Sequence, residues 1–174
     1  MTHPLRHLMF ALLAAFVAFG GTARAARAAN TVDPQDFVDR ASESGIAEVE
    51  AGKLAEKKAQ HPQVKAFAEM MVKDHTAANA ELKQLAATLK LKTADDASLM
   101  EQAKAKLLEM RDDSFDKAYA ENQVKAHQEA VELYRQAAQS DQAQLRAFAQ
   151  KLLPKLQAHL EQAERLVKEL QTDQ

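Results

Sequence analysis

The sequence predicts an all-α protein, a bundle of four long helices preceded by a signal peptide. Glycine and proline are scarce, at four residues each among 174, whereas alanine, leucine, lysine, glutamate and glutamine, which favour helices, dominate. Apolar residues recur every three or four positions along most of the chain, which is the spacing of helices that pack side by side. No stretch shows the alternating, β-branched pattern of a sheet.

Residues 1–28 have the three-part layout of a secretory signal peptide. The segment carries Arg6 and no acid before an apolar run over residues 8–19, and small residues then offer cleavage sites after Ala25 or Ala28. A membrane anchor is the alternative, but the run is shorter than the roughly 20 residues that a spanning helix needs. We therefore expect a periplasmic or secreted protein with no stable membrane span after cleavage.

The mature chain is acidic and has no cysteine. Cleavage after Ala28 removes three arginines and no acid, so the 23 basic and 25 acidic residues become 20 and 25, a net charge of −5. No basic patch remains to bind nucleic acid. Without disulfides, stability must come from helix packing, aided by a ligand or metal if one binds.

Residues that start or stop helices divide the rest of the chain into segments. A flexible lead over residues 29–35 precedes a bundle over residues 36–171. Helix starts and stops are marked by Asp33-Pro34, His61-Pro62, Asp112-Asp113-Ser114 and Ser140-Asp141. They predict long helices from Pro34 to about residue 60, then over about 62–91, 115–139 and 142–170, with a bend at Pro154 in the last.

The loop lengths predict how these helices are arranged. The loops at Pro62 and at Ser140-Asp141 are short, so the helices that they join must be antiparallel neighbours. The connection between the second and third long helices spans about 23 residues and carries a short helix of its own, about Ala97 to Arg111. The segment 64–68 resembles 145–149, as if one hairpin were repeated. Two hairpins with one long crossover form a ferritin-like bundle, and an up-down-up-down bundle with an extra packed helix is the main alternative.

Three histidines lie on the apolar stripes of three different helices. His75, His127 and His159 each fall on a stripe, and Glu48 is the acid on the weaker stripe of the first helix. At 1.5 Å per residue, all four lie roughly 20 to 27 Å from the nearest turn, which is near mid-bundle. Burying them without partners would cost several kcal/mol. One transition-metal ion (zinc, iron, copper or manganese) would satisfy all four.

Other side chains on the same helices could orient these ligands: Asp74, Glu129, Glu132, Tyr134, Glu161 and Tyr119. The alternative is that the histidines are core residues bonded to a neighbouring acid or tyrosine, and that Glu48 is a surface acid. The Glu-x-x-His pattern of di-iron bundles is missing, because Val72, Val124 and Leu156 stand three residues before the histidines. A mononuclear site, or none, is left.

Four separated stretches are similar to a known family: Gly45–Ala55, Val64–His75, Gln123–His127 and Leu153–Leu160. In this order they resemble the exported bacterial proteins grouped as domain-of-unknown-function family 4142, over about residues 36–166. The resemblance implies export and a ferritin-like fold. It does not indicate any particular activity, because none is assigned to the family.

Two classes of function follow from these features. The first is an exported metal-binding bundle, with Glu48, His75, His127 and His159 as ligands, that stores, buffers or uses the metal. The second is a non-catalytic structural or interaction protein of the cell envelope, with core histidines and either a second copy or an envelope protein as partner. An enzyme is the weaker third hypothesis, since no nucleophile–base pair, phosphate loop or cofactor motif is present.

Overall fold

The computed structural model describes residues 32–112 and 114–172. The predicted signal peptide and the first residues of the lead therefore lie outside the described part. Within it the chain forms five helices, α1 Pro34–Lys58, α2 Pro62–Leu89, α3 Leu99–Glu109, α4 Phe115–Ala137 and α5 Ala143–Thr172, and no strand. A search of these helices found none with enough length and apolar character to cross a membrane.

The helix ends follow the capping signals in the sequence. The Asp33 carboxylate accepts hydrogen bonds from the backbone N–H groups of Gln35 and Asp36, at 2.9 and 3.1 Å, and so caps the start of α1. His61 caps α2, with Nδ1 accepting from the Gln63 backbone N–H at 3.3 Å. Every observed helix begins and ends within two residues of its predicted bounds, and α5 continues through Pro154 as one helix.

The four long helices form two antiparallel hairpins, α1–α2 and α4–α5, packed side by side. One end of the bundle gathers the starts of α1 and α5 with the ends of α2 and α4, and the other end gathers the opposite termini. Helices α2 and α4 therefore run in the same direction, and the connection between them crosses the length of the bundle. This is the arrangement of two hairpins and one crossover, and it differs from the up-down-up-down alternative.

The crossover is tied along α1 by polar contacts. The Ala94 backbone N–H donates to the Ser42 hydroxyl at 2.8 Å, and Lys58 Nζ donates to the Glu109 carbonyl at 2.6 Å. Leu108 anchors α3 in the core. Four large apolar side chains in and just after this helix are nevertheless exposed: Leu99, Met100, Leu107 and Met110. The short helix thus packs on the bundle by one face only.

The core consists of two apolar clusters separated by a polar layer. At one end, Phe37 packs edge to face against Tyr134 and Phe148, with ring centroids 5.1 and 6.3 Å apart. At the other end, Tyr119 contacts Phe67 and Phe115. The buried polar residues between the two clusters are Glu48, His75, Gln123, His127 and His159.

Helix α1 approaches α2 closely through two glycines. A methyl group on Gly52 would lie 2.7 Å from Val72 Cγ2 and 3.2 Å from the Ala68 carbonyl oxygen. A methyl group on Gly45 would overlap the Asn79 side chain. Gly52 therefore permits the close spacing of α1 and α2, since a side chain there would crowd the α2 backbone, whereas the overlap at Gly45 involves only the Asn79 side chain.

Candidate metal centre

The three histidines predicted from the helix stripes meet in the polar layer. The ring centroids of His75, His127 and His159 lie 5.4 to 5.7 Å apart. One ring nitrogen from each lies within 4.8 Å of one from each of the others, and all three residues are buried. Nε2 of His75 lies 3.4 Å from Nε2 of His127.

Hydrogen bonds determine which nitrogen of two of these rings carries the proton and which keeps a lone pair. Nδ1 of His127 lies 3.0 Å from the Gln123 carbonyl, which can only accept, so Nδ1 carries the proton and Nε2 keeps its lone pair. Nε2 of His159 lies 3.0 Å from the Asp74 carboxylate and likewise donates. Nδ1 of His159 is then a lone-pair nitrogen, buried without a hydrogen-bond partner among the described residues.

Burial favours the neutral form of all three imidazoles. Burial is the first cause: it lowers the pKa of His75 to about 3 and that of His127 to about 4, and the neighbouring imidazoles add to the effect. The pKa of His159 is also lowered by burial, although Asp74 opposes the change. Burial alone would raise the pKa of Asp74, but hydrogen bonds from Lys155 and His159 outweigh it and lower the pKa. Neutral imidazole is the form that binds a metal.

One pair of these nitrogens has the spacing of a tetrahedral transition-metal site. A metal–nitrogen bond of about 2.0–2.1 Å places two ligand nitrogens of a tetrahedral ion about 3.3–3.4 Å apart. The Nε2 atoms of His75 and His127 are already 3.4 Å apart. The other ring nitrogens of His127 and His159 are held by a carbonyl and a carboxylate, which is the usual support of a metal-binding histidine.

The predicted fourth ligand, Glu48, lies outside the group of converging histidine nitrogens. Its carboxylate accepts a hydrogen bond from Gln123 Nε2 at 2.8 Å. Burial raises the pKa of Glu48 to about 7, although the bond from Gln123 opposes the change. Glu48 lines a different cavity, together with Glu101 and Glu129. The physical reason is that Glu48 faces α4, whose Gln123 engages it one helical turn before His127.

The residues that were predicted to orient the metal ligands lie in different parts of the bundle. Asp74 is bonded to His159. Tyr134 is buried among aromatic rings and lines a pocket beside the histidines. Glu129 and Glu132 are exposed, and Glu132 accepts from a neighbouring glutamine on the surface. Glu161 is exposed. Tyr119 is buried in the apolar cluster at the α4 start, and no described residue hydrogen-bonds to its hydroxyl.

Gln123 is a residue of the site that the sequence analysis missed. Its carbonyl orients His127, and its side chain holds Glu48. Its spacing of four residues before His127, on the same helix face, was the available signal.

A small pocket adjoins the polar layer on the side toward Tyr134, and we call it the histidine pocket. His75 and His159 form part of its wall, and Gly45, Ala78 and Ala130 also line it. Its volume is about 30 Å³.

Comparison with known proteins gives a single result. No curated protein and no solved structure matches the chain. One family model matches residues 20–166, which is most of the chain, and it agrees with the resemblance found in the separated sequence stretches. The chain therefore belongs to the family described as Domain of unknown function (DUF4142).

Proposed function

We propose that this protein is an exported, ferritin-like bundle that binds one transition-metal ion through His75, His127 and His159. The observation that carries the proposal is the convergence of three buried imidazoles, with Nδ1 of His159 lacking a hydrogen-bond partner within the described part of the chain.

Coordination of a metal ion would give Nδ1 of His159, in the polar layer, the bonding partner that it lacks among the described residues. A buried polar nitrogen without a partner costs about 1–3 kcal/mol. A metal ion would engage the lone pairs of all three rings at once. Asp74 accepts a hydrogen bond from one nitrogen of His159, and the Gln123 carbonyl accepts one from a nitrogen of His127. Both rings are therefore oriented before the ion binds.

The ligand chemistry favours the later transition metals. Three imidazole nitrogens suit zinc, copper, nickel and cobalt, whereas calcium and magnesium require oxygen ligands. Copper(II) and zinc(II) bind nitrogen sites more tightly than manganese(II) or iron(II) do. Of the four metals predicted from the sequence, copper and zinc are therefore the ones that we expect the site to retain.

Elemental analysis tests the metal site directly. The protein is purified without chelator or affinity tag, and its zinc, copper, iron and manganese contents are measured per chain. Chelator-stripped protein is then titrated with zinc and copper. We expect one ion per chain in the wild type and a loss of at least tenfold in affinity in His127→Gln.

His61→Asn is the matched control, because His61 caps α2 at the turn, away from the layer, and asparagine is also a good cap. Circular dichroism verifies that each variant remains helical. Equal metal content in wild type and His127→Gln, or no uptake of any ion by the stripped wild type, would refute the site.

Export and the ferritin-like description rest on separate observations. The pattern of residues 1–28 supports export, and the crossover between parallel α2 and α4 supports the ferritin-like arrangement. Amino-terminal sequencing of protein recovered from a periplasmic or secreted fraction tests export. A chain that begins after Ala25 or Ala28 supports it, and a chain retained in the cytosol with Met1 contradicts it.

A second candidate is a non-catalytic envelope protein whose histidines only pack the core. The exposed Leu99, Met100, Leu107 and Met110 around α3 favour an interaction role. Absence of metal, combined with association that Leu107→Gln weakens in sedimentation analysis, would support this candidate over the metal site.

A further inference from the structure

Three nitrogens leave a tetrahedral ion with one free position. A closed structural site has four protein ligands, whereas a site with three keeps a position for water or another ligand. Glu48 does not fill the fourth position, since it is bonded to Gln123 and lines another cavity. The one carboxylate in the wall of the histidine pocket belongs to Asp74, which is engaged by His159 and Lys155 at 3.0 and 2.9 Å.

The histidine pocket exists because small residues lie one helical turn after two of the histidines. Ala78 follows His75 by three residues, and Ala130 follows His127 by three. Helices α2 and α4 run in the same direction, so both alanines lie on the same side of the layer. Their short side chains, with Gly45 on α1, leave the space that larger residues would fill.

The volume of the pocket limits what can enter. One water molecule requires roughly 10–15 Å³ by a comparable measure. The pocket has about 30 Å³. It therefore holds the equivalent of two or three waters, a space that a ligand of two or three heavy atoms fills.

The charge of the site selects among such ligands. The three imidazoles are neutral and leave the charge of a bound divalent ion uncompensated, while Asp74 is paired with Lys155 at the pocket wall. The wall is otherwise largely apolar, with Leu152, Leu156 and Ala41 among its members. A small monoanion or an uncharged molecule of the same size matches both properties.

We propose that the histidine pocket delivers an exogenous ligand of two or three heavy atoms, monoanionic or uncharged, to the fourth position of the metal. This inference rests on the proposed metal site and adds to it an open position and a class of ligand.

The test uses the full chain loaded with cobalt(II), whose visible absorption reports its coordination. Cobalt stoichiometry is measured first, and azide is then added as the probe. We expect a saturable spectral change with azide and none with imidazole at the same concentration, because a five-membered ring exceeds the volume of the pocket.

Two variants locate the path of entry. Ala78→Leu fills the pocket, and Ala77→Leu is its matched control, because Ala77 is the preceding residue of the same helix and is exposed. We expect Ala78→Leu to retain one cobalt per chain and to weaken azide binding at least tenfold, with Ala77→Leu unchanged. Ala130→Val is a smaller change on the opposite wall and replaces Ala78→Leu if that variant does not fold.

The outcomes separate this inference from the metal site itself. Cobalt bound at one per chain without response to azide would show a closed site and overturn the open position alone. Equal azide affinity in Ala78→Leu and Ala77→Leu, with Ala130→Val also unchanged, would overturn the route through the pocket. Failure of the wild type to bind cobalt, zinc or copper would overturn the metal site and this inference together.

Discussion

Acidification should destabilise the metal-free protein through its buried histidines. The folded-state pKa of His75 is about 3 and that of His127 about 4, whereas an exposed histidine titrates near 6.5. Below pH 6.5 the unfolded chain takes up protons that the folded chain does not. The penalty is therefore absent well above pH 6.5, and it grows as the pH falls toward the folded-state pKa values.

The size of the effect follows from these pKa values. At pH 5, relative to pH 8, each of the two histidines lowers the free energy of unfolding by roughly 2 kcal/mol. Glu48 acts in the opposite direction, because its folded-state pKa is about 7 and its ordinary value is 4.5. The folded protein keeps this proton at pH 5 and gains roughly 2–3 kcal/mol over the same interval. The net loss from these three groups is then about 1–2 kcal/mol, and His159, whose pKa is also lowered, adds to it.

Replacement of Glu48 should reveal the full loss of stability that the histidines cause on acidification. In Glu48→Gln the loss between pH 8 and pH 5 should rise to about 4 kcal/mol, because only the histidine contributions remain. Urea unfolding of chelator-treated wild type and Glu48→Gln at the two pH values measures both losses, and Glu132→Gln, at an exposed site, is the control. The reasoning is refuted if Glu48→Gln loses no more stability on acidification than the wild type does.

Three further substitutions test individual contacts. Asp74→Asn should weaken metal affinity by about 10- to 100-fold, because an amide is a poorer acceptor for the His159 N–H; calorimetric titration of stripped protein measures this, and unchanged affinity contradicts it. Lys90→Gly should raise the free energy of unfolding by about 0.5–1 kcal/mol, because Lys90 ends α2 with a φ of 58°, which glycine adopts without strain; a destabilised variant in urea would count against this. Asp116→Ala should lower the free energy of unfolding by about 1 kcal/mol, since this carboxylate accepts backbone N–H groups at the α1–α2 turn; an unfolding midpoint in urea equal to that of the wild type would contradict this.

The helices could be predicted because their signals are local. Pro34, Pro62 and Ser114 mark helix starts, and the apolar spacing between them is that of a helix, so the predicted bounds agree with the observed ones within two residues. The docking of the crossover on α1 could not be predicted in the same way. It depends on contacts such as that of Ala94 with Ser42, which join residues 52 positions apart and leave no periodic trace in the sequence.

The candidate site was predictable to the extent that helix periodicity governs it. His75, His127 and His159 lie on strong apolar stripes, and counting from the turns placed them at one level. The stripe of α1 is weak because Gly45 and Gly52 replace apolar side chains where this helix meets α2. The direction of Glu48 was therefore undetermined, and the sequence does not reveal that a glutamine on α4 engages it.

The polar layer also fixes the alignment of the helices along the bundle axis. Alanine-rich surfaces can pack in several registers, because one alanine resembles the next when a helix slides by a turn. A slide of α4 by one turn would carry His127 into an apolar cluster and break the bond between Gln123 and Glu48, at a desolvation cost of several kcal/mol. The same residues that we propose as metal ligands thus specify a single register for the bundle, with or without the ion.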